Sequence, residues 1–203
     1  MGAAPGPTHT SIDVRLPNST EKRMPDSSTN TSLVARAWAA LDAVPDPEIP
    51  VVSIRELGIL RDVRQAPDGV IEAVITPTYS GCPAMAQIAE DIGAALDGAG
   101  LAPHRVVSVL APAWTTDWIT DGARQKLRHY GIAPPSRTCT TQGTQAPQPV
   151  RLVSRNEREH TQPVCPRCGS PNTERLSQFG STACKALYRC ITCREPFDYF
   201  KPY

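Results

Sequence analysis

The sequence predicts an α/β (α+β) protein in which a small two-layer domain with a mixed sheet is followed by a small four-cysteine ribbon. Three observations predict it. Between residues 32 and 134, segments with a helical period of three to four alternate with short β-branched runs. That periodicity stops at residues 135–163, which are rich in Pro, Gln and Thr, as in TQGTQAPQPV. Beyond them, the last forty residues carry five of the seven cysteines. The expected organisation is a disordered tail over 1–31, the α/β domain over 32–134, a linker over 135–163 and the ribbon over 164–203.

The tail is rich in Pro, Ser, Thr, Asn and Gly and has too few large apolar side chains to offset the entropy of ordering. Leu33, Val34, Ala37, Trp38 and Leu41 form one apolar face and predict a helix from Ser32 to Ala43, ended by Val44-Pro45-Asp46-Pro47. VVSIRELGI reads as a turn leading into a strand at Leu60 to Gln65. Ala66-Pro67-Asp68-Gly69 supplies turn chemistry, and Val70 to Thr76 is a β-branched strand, so the two strands form a hairpin. Met85, Ile88, Ile92 and Leu96 predict a helix with Pro83 at its start and Gly98 and Gly100 at its end. Arg105 to Leu110 predicts a third strand. Trp118 to Tyr130 predicts a closing helix, stopped by Gly131 and Pro134-Pro135.

Composition narrows the function classes. The 21 prolines and 40% hydrophobic content imply a modest core plus unpacked segments. A net charge of +1 offers no field to attract a polyanion, so no nucleic-acid partner is expected. No run of about 18 uncharged apolar residues and no signal-peptide core occur, so a soluble cytoplasmic protein with no membrane partner is expected. An odd number of cysteines, four of them in CxxC pairs, suits metal binding in a reducing compartment.

The ribbon's pairs are Cys165 with Cys168 and Cys190 with Cys193, separated by 21 residues. Two CxxC turns on facing hairpins bring four thiolates into a tetrahedron, which predicts a structural zinc site in a zinc-ribbon or rubredoxin-like unit; iron and an iron–sulfur cluster are the alternatives. About forty residues cannot build a sufficient core alone, so the metal is expected to supply folding free energy. Cys184, six residues before Cys190, is either an additional ligand of that site or a buried unligated thiol.

Cys82 precedes Pro83 at a helix start, where backbone N–H groups favour a thiolate and are expected to lower its pKa. It is a candidate metal ligand or nucleophile, or a small buried hydrophobe. Asp46 and Glu48, one residue apart between prolines, can ligate a metal, take a proton or cap the following turn. A di-iron oxygenase motif occurs only as a half-match, Glu157-Arg-Glu-His160, in the linker. The GxxxxGK[ST], GxGxxG and GxSxG signatures are missing from the sequence.

VPDPEIPVVSIRELGI, TPTYSGCPA, APAWTTDWIT and FGSTACKALYRCITCREPFDYFK resemble the PaaD (PaaJ) family of bacterial phenylacetate degradation over residues 33–203. The segment 33–134 is also similar to the wider family of iron–sulfur cluster assembly factors, in which a DPE loop and a cysteine at a helix start are the functional signature. Carried over, this implies Asp46, Glu48 and the functional thiol Cys82, holding a transient iron or iron–sulfur cluster. The resemblance implies an accessory or maturation role for 1,2-phenylacetyl-CoA epoxidase. Its partners would be the other epoxidase subunits or the reductase, together with iron–sulfur assembly machinery. The alternative is a stoichiometric structural or regulatory subunit that uses the ribbon and Trp114/Trp118 as contact surface. A thiol reaction at Cys82 would need His104 or His129 to approach as base.

Overall fold

A computed structural model describes residues 27–79, 81–136 and 162–202. The first helix, α1 (Ser27–Leu41), begins five residues before the expected Ser32. Periodicity locates a helix by its buried stripe, here starting near Leu33, whereas Ser27 to Thr31 are polar and contain no Gly or Pro to stop it. Residues 1–26 of the expected tail and 137–161 of the expected linker, Glu157 and His160 included, lie outside the described residues.

The hairpin pairs β1 (Leu60–Gln65) with β2 (Ile71–Ile75), antiparallel from Leu60↔Ile75 to Gln65↔Ile71. Gly69, at φ 86°, and the Asp68 carboxylate, which accepts from Val70 N–H at 3.2 Å, make the turn. β3 (His104–Ser108) then pairs parallel with β2, reached through α2 (Ala84–Gly98), so the sheet is mixed with order β1-β2-β3. A parallel neighbour needs such a crossover, and α2 supplies it by burying Ala84, Ile88, Ile92 and Leu96. Every residue of β2 is buried, as befits the central strand. α1 packs against α2 and β1, giving the two layers that the sequence predicts.

The closing helix starts later than expected. Thr116–Trp118 forms a 3-10 turn, and α3 (Asp121–Tyr130) begins only after Thr120, whose hydroxyl accepts from Ala123 N–H at 3.1 Å. Buried Arg124 donates to the carbonyls of Thr116 and Pro135, tying α3 to the chain on either side.

The ribbon comprises β5 (Thr173–Ser177), β6 (Lys185–Cys190) and β7 (Pro196–Phe200). Its sheet has a fourth strand from the first domain: β4 (Ile132–Ala133) pairs parallel with β7, giving the order β4-β7-β6-β5. The exchange is reciprocal. Ala133 packs with Tyr188, Phe197 and Tyr199 in the ribbon's apolar cluster, while Cys184 and Phe200 of the ribbon join the main core with Ile88 and Leu57.

Candidate metal centres

Two cysteine-bearing sites lie at opposite ends of β6. At one end, Cys165, Cys168, Cys190 and Cys193 have sulfurs all within 4.8 Å of one another. Cys165 Sγ lies 3.8 Å from Cys193 Sγ, and Cys168 Sγ 3.5 Å from Cys190 Sγ. Metal–sulfur bonds of about 2.3 Å in a tetrahedron separate sulfurs by about 3.8 Å, so the four donors fit zinc. Cys193 N–H, 3.5 Å from Cys190 Sγ, leads the effects that pull that thiol down to about 6, toward the thiolate a metal requires. The knuckle turns use Gly169 at φ 73° and Arg194 at φ 61°. A zinc-ribbon site is therefore built where the CxxC spacing predicts it, and four thiolates leave no coordination position open for chemistry.

At the other end of β6, the DPE loop, the start of α2 and the ribbon converge on a cavity of about 10 Å³. Asp46, 6% exposed, folds the loop: its Oδ1 accepts from Glu48 N–H at 2.9 Å and Ile49 N–H at 2.8 Å. Desolvation raises its pKa, and those two backbone donors oppose the rise. Glu48, thereby presented on the cavity wall, shares the lining with Cys82, Met85, Cys184 and Phe200.

Cys82 departs from expectation in one respect. It lies just outside α2, whose N-cap is Pro83, and is half-buried. Burial raises its pKa; the Ala84 N–H pulls the other way, and the Glu48 and Asp46 charges add to the rise. The expected lowering by the helix start is thus outweighed. Tyr79, hydrogen-bonded to Cys82, has its hydroxyl pushed up to about 12, chiefly by burial. The sequence does not single out Tyr79, since a Tyr in a loop carries no spacing signal.

Cys184 is not a fifth thiol of the zinc site. Its Sγ lies 3.8 Å from Glu48 Oε2 and 3.0 Å from Thr182 Oγ1, and burial first, then the Glu48 charge, push its pKa up to about 11. Six residues of extended strand span about 20 Å, so Cys184 and Cys190 stand at opposite ends of β6. Sequence proximity places them together; strand geometry separates them.

Trp114 and Trp118 are packing residues. Trp114, 4% exposed, donates its indole N–H to Leu57 O at 3.0 Å, and Trp118 is covered by the Arg61 guanidinium 3.4 Å from its ring centroid. His104 is held 3.5 Å from Asp97, away from the Cys82 cavity lining. Among the described residues, no helix is long and apolar enough to cross a membrane.

Similarity to known proteins extends over both units. Residues 35–111 match the iron–sulfur cluster assembly protein family, and residues 149–201 match the PaaD zinc beta ribbon domain. An Escherichia coli protein described as the D component of a "Putative 1,2-phenylacetyl-CoA epoxidase" is 49% identical over 169 residues, covering 83% of this chain and 92% of that protein. An "Fe-S protein maturation auxiliary factor" of Porphyromonas gingivalis is 31% identical over 88 residues, 43% of this chain and 83% of that protein. Among solved structures, a domain of unknown function from Bacillus anthracis overlays with a TM-score of 0.46 at 27% identity, covering 50% of this chain and 97% of that one. With 49% identity across nearly the whole of its Escherichia coli relative, and the PaaD ribbon at its C-terminal end, the chain belongs to the PaaD family of 1,2-phenylacetyl-CoA epoxidase components.

Proposed function

We propose that the protein matures 1,2-phenylacetyl-CoA epoxidase by handing iron or an iron–sulfur cluster to its oxygenase or reductase subunits, in the cytoplasm. The observation that carries this reading is the convergence of Cys82 with the Asp46–Glu48 loop at one small cavity, separate from the zinc site. A thiol and a carboxylate on a partly open wall can take and release an ion. The closed four-thiolate ribbon cannot do this without unfolding. The ribbon supports docking on a client: Val164, Leu176, Phe179 and Ile191 expose apolar surface on it. The assembly-protein match over residues 35–111 and the maturation factor of Porphyromonas gingivalis support the same reading.

The test is assembly in the absence of the chain. Epoxidase subunits produced without it should lack iron and activity, and should regain both on incubation with the purified chain and iron(II), but not with Cys82→Ser. Activity should then persist after the chain is removed. A second reading, a stoichiometric subunit, is favoured by the word "subunit" in the name of the Escherichia coli relative. It wins if activity is lost each time the chain is stripped from an already metallated complex.

A further inference from the structure

The ribbon thiol Cys184 faces the assembly module rather than its own zinc site, and the reason for a fifth ribbon cysteine lies there. We propose that Cys184, Cys82 and Glu48 together bind one divalent transition-metal ion in the cavity between the two units, so that the ribbon supplies a ligand to the cargo site. This inference deepens the maturation reading and rests on it for the identity of the cargo, iron(II).

Three observations carry it. Cys184 Sγ and Glu48 Oε2 lie 3.8 Å apart, and an ion with metal–sulfur and metal–oxygen bonds of about 2.3 and 2.0 Å would separate such donors by about 3.5 Å. Cys82 lines the same cavity from the opposite wall, so two thiols and a carboxylate, from three segments of the chain, surround one space. That space of about 10 Å³ is on the order of a single water-sized occupant, which admits one ion and not a multi-iron cluster.

Around the ligands stand groups suited to hold them. Thr182 Oγ1 is 3.0 Å from Cys184 Sγ, Tyr79 hydrogen-bonds Cys82, and Asp46 fixes the loop that bears Glu48. The three donors are not all within 4.8 Å of one another, the spacing that the zinc cysteines meet. Side-chain rotation of Cys82 and Glu48, both part-exposed, therefore closes the site around the ion. Two sulfurs and one oxygen suit a borderline cation such as iron(II), cobalt(II) or zinc(II) better than magnesium or calcium.

The probe is cobalt(II), titrated anaerobically with a phosphine reductant into the full, zinc-loaded chain and followed by thiolate-to-cobalt absorption, with zinc content measured throughout. The wild type should bind one cobalt per chain while keeping its zinc. Cys82→Ser, Cys184→Ser and Cys184→Ala should each lose roughly half the absorption per bound cobalt and bind about tenfold or more weakly, with zinc and melting temperature retained in at least one Cys184 variant. Wild-type absorption and affinity in the Cys184 variants overturn the proposal, as does cobalt that enters only when zinc leaves. Unchanged cobalt binding in Cys184→Ala with failed epoxidase assembly in Cys82→Ser sinks the two-thiol site and leaves the maturation reading standing. Lost cobalt binding with normal assembly in every variant does the reverse.

Discussion

Trp114 of the α/β domain and Phe200 of the ribbon meet with ring centroids 6.0 Å apart and planes tilted by 45°. Phe200 is 1% exposed and packs into the main core, although it is the last residue of the ribbon's last strand. The metal ribbon is thus a wall of the domain it follows. Phe200→Ala should cost about 3–5 kcal/mol, and Trp114→Ala a similar amount. The double variant should cost less than their sum by about 0.5–1.5 kcal/mol, the contribution of the ring pair itself. Denaturant unfolding of the zinc-loaded proteins measures this; strict additivity, or a Phe200→Ala protein as stable as wild type, contradicts the shared core.

Zinc removal should reach the same core. The zinc ties the knuckle before β5 to the one between β6 and β7, and β7 carries Phe200. A chelator, or Cys190→Ser, should therefore release the Tyr188–Phe197–Tyr199 cluster and also expose Trp114. The readout is a red-shifted tryptophan emission that returns with zinc. Unchanged emission in a protein assayed free of zinc would mean that the β4–β7 pairing holds without metal.

Residue pattern makes much of this legible, and its limits are instructive. β1 is legible to the residue, because β-branched alternation and the turn residues Pro67-Asp68-Gly69 are local signals. The four zinc cysteines are equally plain, since a CxxC turn is its own geometry. β4 is not legible: Ile132 and Ala133 become a strand only because β7, more than sixty residues later, pairs with them. The place of Cys184 is hidden for a related reason, as sequence distance to Cys190 is short and strand distance long. The fall in the Cys82 pKa expected from a helix start is overruled by burial and by carboxylates that only tertiary structure brings near.

Gly58 holds φ 73°, and a Cβ there would stand 2.6 Å from the Trp118 Cβ. Both a left-handed backbone and a collision oppose any side chain, so Gly58→Ala should destabilise by about 2–4 kcal/mol. Gly98, with open space around it at the end of α2, is the control; Gly98→Ala should be neutral or stabilise by about 0.5–1 kcal/mol. Melting temperatures of the two variants in opposite order would show that the Gly58 turn relaxes freely.

Glu72, on the central strand, accepts from Arg64 on one neighbour and Arg105 on the other, at 2.8 Å each. Arg64 first, and then Arg105, hold its carboxyl below the ordinary value of 4.5. The folded state therefore binds this proton less readily than the unfolded chain. The stabilisation is fully present above pH 4.5 and is lost as pH falls below it toward the folded pKa. Both arginines are about half exposed, so water screens the effect and it should be modest. Glu72→Gln should melt lower than wild type at neutral pH and approach it in acid. A constant gap across that window would assign the loss to packing instead of charge.

Asp46 separates shape from charge at the cargo site. Both loop hydrogen bonds, from Glu48 N–H and Ile49 N–H, end on the same oxygen, Oδ1. An asparagine retains that oxygen, so Asp46→Asn should keep the loop, the cobalt affinity and epoxidase assembly within a few-fold of wild type. Asp46→Ala removes the acceptor and leaves two backbone donors unpaired. It should cost about 1–3 kcal/mol and release Glu48 from the cavity wall, weakening metal binding along with stability. If Asn and Ala instead fail equally in metal binding while both remain folded, the carboxylate charge of Asp46 acts on the ion directly, and Asp46 is a ligand instead of the residue that positions one.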